Sequence, residues 1–165
     1  MEPTVTTARA AEIISIGYEG LRSYLKRGLL GASGILVPFV HRDFPAPDLS
    51  SVRAKWKRFG FVDLCLMRLA KQLIDLGLSF DQANSIVSRE DIRDVFEREH
   101  IAGSVLLASP PYYDFIVFSG DNLNHLPARL AEVGNVAVLV QLDRIRDYVR
   151  AEFERDRTSQ RSVEV

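Results

Sequence analysis

Apolar positions along the chain follow two regimes. Up to about residue 100 they recur at helical spacing, and beyond Gly103 they fall into short continuous runs. Met1–Val5 reads as a disordered lead, with Thr6 and Thr7 as caps for a helix over about Ala8–Ile14. Ser15-Ile16-Gly17 predicts a tight turn. A second helix over about Tyr18–Arg27 sets Leu21, Tyr24 and Leu25 on one face and stops at Gly28, a residue suited to a C-cap. Residues 31–54 form a long connection holding Pro38, Pro45 and Pro47, with Ile35–Val40 as its strand-like run. A return strand is expected over about Lys55–Phe59.

The clearest helix is Val62–Leu76, whose polar residues Arg68, Lys71, Gln72 and Asp75 make one solvent stripe on an otherwise apolar cylinder. Gly77 ends it. Ser79 with Gln82 predicts a capping box for a short helix to Val87, and Ser88 a cap for another over Arg89 to about His100. Ser104–Ala108 and Phe115–Phe118, either side of Pro110-Pro111, predict a hairpin. A short helix follows from about Asn124 to Gly134, with Pro127 in its first turn. Val136–Val140 reads as a buried strand. Leu142, Ile145, Val149 and Phe153 stripe a final helix, and a disordered tail is expected after about Arg157.

With 165 residues, 47% of them hydrophobic and 26% charged, the chain suits one globular domain or two small ones sharing a core. A single cysteine excludes an intramolecular disulfide framework and any multi-thiolate metal site. Apolar runs stay well short of the ~18 residues of a membrane span, and the N-terminus lacks a basic-then-apolar leader, so a cytoplasmic protein is expected.

Net charge is −1, but it is unevenly spread. Residues 1–72 hold eleven Lys/Arg against six acids, a net of +5, whereas residues 73–165 hold ten Arg against sixteen acids, a net of −6. Such a split points the N-terminal half at a polyanion.

Two short helices around a tight turn, the second ending in Lys26-Arg27-Gly28, make a helix-turn-helix candidate. Leu21-Arg22-Ser23-Tyr24-Leu25-Lys26-Arg27-Gly28-Leu29-Leu30 resembles the recognition-helix exit of the MerR family of winged-helix transcriptional regulators. Trp56-Lys57-Arg58-Phe59-Gly60-Phe61-Val62-Asp63-Leu64 is similar to that family's wing strand and its junction to the next helix. Leu73-Ile74-Asp75-Leu76-Gly77-Leu78-Ser79-Phe80-Asp81-Gln82-Ala83 resembles its following helix pair. The three matches, in order, span about residues 6–87. The resemblance implies a homodimer on double-stranded DNA and a contact with RNA polymerase.

On this reading Tyr18 and Arg22 face the major groove while Lys26 and Arg27 hold flanking phosphates. Arg42, Arg53, Lys55, Lys57 and Arg58 bracket a wing hairpin as its DNA-binding cations, with Trp56 and Phe59 anchoring it. The 24-residue connection is longer than a compact wing, so a partner-binding insert fits it as well as a groove reader does. Gly20 inside the second helix costs about 1 kcal/mol relative to alanine and points either to a close backbone approach or to a later helix start.

Enzyme chemistry finds little footing: His41, His100 and His125 are far apart, and no H-E-x-x-H, G-x-S-x-G or phosphate-cradling glycine pattern is present. Asp121, Asn122, Asn124 and His125 read as turn and cap residues. Cys65, amid the most apolar helix, reads as core. Neither cofactor nor metal is expected. Pro110-Pro111-Tyr112-Tyr113 either meets a partner or packs over the sheet.

The expected fold is therefore α+β: a winged helix-turn-helix over residues 6–87, a small strand-containing dimerisation or effector unit over 88–157, and a tail over 158–165. The expected function is sequence-specific binding of double-stranded DNA by a homodimeric transcriptional regulator. One alternative is a protein-interaction module using the helical hairpin and the 31–54 loop, and another is a phage-type DNA-packaging or excision factor.

Overall fold

A computed structural model describes residues 3–30, 57–98 and 103–163. The elements run β1 (Val5–Thr6), α1 (Thr7–Ile14), α2 (Tyr18–Lys26), β2 (Arg58–Phe59), α3 (Phe61–Asp75), α4 (Phe80–Val87) and α5 (Glu90–Glu97). The second half adds β3 (Val105–Ala108), β4 (Phe115–Phe118), a 3-10 turn (Gly120–His125), α6 (Leu126–Glu132), β5 (Val138–Gln141) and α7 (Leu142–Val163). The class is α+β, with two small antiparallel sheets, β1-β2 and β4-β3-β5. No helix among the described residues is long and apolar enough to cross a membrane.

Local chemistry explains the first elements. The Thr6 hydroxyl accepts from the Arg9 amide at 3.3 Å, capping α1. Ser15 ends that helix in the left-handed region at φ 61°. Gly20 sits where a Cβ would meet the Ile16 side chain at 3.0 Å, so the missing side chain lets α2 lie tightly against the turn. Ser79 and Gln82 form the expected reciprocal cap of α4, with Gln82 N donating to Ser79 Oγ and Ser79 N donating to Gln82 Oε1.

Helix α3 is the axis of the molecule, and α1, α4, α5 and α7 all pack on it. Its expected solvent stripe is half covered: Arg68 lies flat on the Tyr148 ring at 3.7 Å and donates to the Ile13 carbonyl at 3.1 Å. The stripe Leu142, Ile145, Val149 and Phe153 of α7 is buried within the same chain. One cluster of buried side chains runs from Val5 to Phe153, drawing on both sides of the expected 87/88 boundary.

Other expectations are corrected. Val5 belongs to a strand and not to a disordered lead, because β2 pairs with it: Val5 faces Phe59 and Thr6 faces Arg58. Ser88 is the C-cap of α4, and α5 begins at Glu90 with acids in its first turn. In β5 only Val140 is buried: Val138 and Val140 share the inward face, while Leu139 and Gln141 turn to the exposed one. Helix α7 continues to Val163, past the tail expected after Arg157. The expected β3–β4 hairpin forms, with Val105 opposite Phe118 and Ala108 opposite Phe115.

Candidate nucleic-acid interface

Helix α2 is amphipathic by construction. Leu21 and Leu25 point into the core against α1, while Tyr18, Arg22 and Lys26 recur every fourth residue along the exposed flank beside them. Tyr18 is 38% exposed and the Arg22 side chain 44%. Arg22 touches Glu19 at 3.4 Å one turn back, a loose surface pair of little energetic worth. Lys26 adds a second cation one turn on.

The exit of α2 is fixed by neighbours rather than left loose. Arg27 stacks on the Phe80 ring at 4.0 Å, and Tyr24 meets the same ring at 5.3 Å. Asn84 then clamps the turn that follows: its Nδ2 donates to the Gly28 carbonyl and its Oδ1 accepts from the Leu30 amide. Arg27 is thus a packing residue that keeps an exposed charged head. Asn84 is a positioning residue that sequence reasoning missed, because its signal, a polar side chain on the inner side of α4, depends on where α2 ends.

The strand cations fare differently. Lys57 is 2% exposed, which removes it from any phosphate-binding face. The physical reason is the pairing of β2 with β1 beneath α1, which places the residue before the strand inside the protein. Arg58 is half-buried and tied to the N-terminus, with Nε donating to Thr4 Oγ1 at 3.2 Å and Nη2 to the Thr4 carbonyl at 3.0 Å. Phe59 is buried as expected. Arg42, Arg53, Lys55 and Trp56, with the strand-like run Ile35–Val40, lie outside the described residues.

Elsewhere among the described residues of the N-terminal half, Arg9, Arg68 and Lys71 already have partners within the chain. Arg9 reaches Glu12, Glu152 and Asp156, the last at 2.8 Å, and the bond it donates to Asp156 holds the guanidinium above its ordinary pKa. Lys71 pairs with Asp75. Asp63, buried at the start of α3, accepts from the Gly60 amide and from Arg93 Nη2, each at 3.2 Å. Burial pushes the Cys65 thiol up, so it is not a thiolate at neutral pH. Among the described residues no group of three or more His, Cys, Asp or Glu side chains could hold a metal ion. Neither a protein-family model nor a curated protein matches the chain.

Proposed function

We propose that the protein binds double-stranded DNA through the exposed side of α2, as a MerR-like winged helix-turn-helix transcriptional regulator working as a two-fold pair. The observation that carries this reading is the exposure of Tyr18, Arg22 and Lys26 along one flank of a helix whose adjoining face, Leu21 and Leu25, is locked into the core. A recognition helix needs that division: reading groups free on one side, rigid backing on the other. The turn Ser15-Ile16-Gly17 and the clamp on Gly28 and Leu30 hold both of its ends.

Within this reading Tyr18 and Arg22 face base edges, and Lys26 with Arg27 holds flanking phosphates. Lys57 has no part in it. Selection of bound sequences from a random duplex pool tests the reading. One enriched motif, with binding that falls steeply between 50 and 200 mM salt, is the expected result. Affinity that is flat across that range excludes DNA and favours the interaction module.

A further inference from the structure

Strand β5 ends the sheet β4-β3-β5, and its outer edge lies open among the described residues. Its orientation follows from the ladder. The Leu142 amide donates to the Ser104 carbonyl at 2.8 Å, and Val140 stands opposite Leu106. Backbone groups alternate along an antiparallel strand, so Val138 and Val140 bond to β3 while Leu139 and Gln141 turn their N–H and C=O outward. The edge Val-Leu-Val-Gln has none of the lysines, prolines or bulges that usually keep an edge from pairing.

Beside this edge lies an open groove of about 570 Å³ between α3, β5 and the first turns of α7. Apolar residues rim it, Leu139 at 43% exposed and Leu76 at 58%. Its charges are mixed: Arg144 is exposed and in no ion pair among the described residues, and Asp75, at the end of α3, keeps an exposed carboxylate that shares only the surface pair with Lys71. A patch carrying both an open cation and a carboxylate is complementary to itself, whereas a charged peptide of one sign would meet repulsion at one of the two.

We infer that a second copy of this chain occupies the β5 edge, forming a six-stranded sheet across a two-fold axis. The axis passes at Val140, and Leu139 of each copy faces Gln141 of the other. That pairing closes four backbone hydrogen bonds, because Leu139 and Gln141 each present one donor and one acceptor. Each copy also brings its Arg144 to a seam that holds the other's Asp75. The inference builds on the two-fold pairing in the proposed function and not on DNA contact.

Sedimentation of the full chain without DNA tests it, alongside the variants Gln141→Pro and Leu139→Lys. The proline removes only outward-facing donors, and the lysine sets like charges across the axis. The expected result is a dimer at tens of micromolar that dissociates at least ~10-fold more readily in both variants, with circular dichroism unchanged. Mixing copies that carry Leu139→Cys with copies that carry Gln141→Cys should give a cross-linked dimer absent from either alone, which reads the register even if one variant fails to fold. A dimer unaffected by both substitutions overturns the inference. So does a monomeric full chain: protected Leu139 and Gln141 amides would then assign the edge to the chain's own 31–56 segment, and exchanging ones would leave it bare. Duplex binding is measured separately, so loss of the dimer and loss of DNA binding register as different failures.

Discussion

Two surfaces carry arginines from the same basic half of the chain, and they differ in where the counter-charge sits. At the seam between α1 and α7, Arg9 is enclosed by Glu12, Glu152 and Asp156, two of them contributed by the acidic half. On α2, Arg22 and Lys26 face solvent with only Glu19 near the first. The sequence-wide split of charge therefore has two separate uses. Part of it holds the two halves together, and part, Arg22 and Lys26, stays open to solvent.

The largest expected effect breaks the first surface altogether. Ending the chain after Arg98 removes Leu106, Val140, Leu142, Ile145, Val149 and Phe153 from the shared core. Each buried side chain is worth ~1.5–3 kcal/mol, against a total stability of ~5–15 kcal/mol. The shortened chain should show no cooperative thermal transition by circular dichroism. A folded fragment would mean that α3 does not depend on α7.

A milder break is Arg9→Ala. It leaves Glu152, itself largely buried, with the exposed Arg155 at 2.8 Å but without the guanidinium that reaches it at 3.0 Å, and it leaves Asp156 without its Arg9 bonds. Denaturant unfolding should show a loss of about 1–3 kcal/mol, with duplex affinity at fixed salt unchanged. If affinity falls while stability holds, Arg9 belongs to the binding surface and the comparison is wrong.

These two seams mark the limit of what the sequence discloses. Helix periods, the Ser79–Gln82 cap, the β3–β4 hairpin and the turn at Ser15 are local, so they are legible from spacing and turn chemistry alone. The exposure of Tyr18, Arg22 and Lys26 was legible for the same reason, since the apolar Leu21 and Leu25 mark which face of α2 turns inward. What was hidden depends on residues distant in sequence. The pairing of Val5 with Phe59 turned an expected lead into a strand and carried Lys57 inside. Arg68 looked like a solvated charge until α7 supplied Tyr148 as its cover. A count of cations says how much charge exists and nothing about which of it is already matched.

Lys57→Ala sharpens that point with the smallest expected effect on binding. At 2% exposed, Lys57 cannot neutralise a phosphate, so the substitution should leave the salt dependence of duplex affinity where it was while lowering the thermal midpoint. A slope reduced by about one unit would return it to the binding face.

The central claim is that the exposed side of α2 is the surface that meets DNA. Its most direct test is the salt dependence of duplex affinity for the full chain and for the double variant Arg22→Ala/Lys26→Ala, with thermal midpoints recorded for both. Loss of two phosphate or base-edge cations should lower the slope of log affinity against log salt by about two units. Discrimination among sequences should fall as Arg22 is lost, by about 1–3 kcal/mol, while the thermal midpoint stays within error of the parent. A slope and specificity identical to the parent's would contradict the account and send the search for the binding surface away from α2.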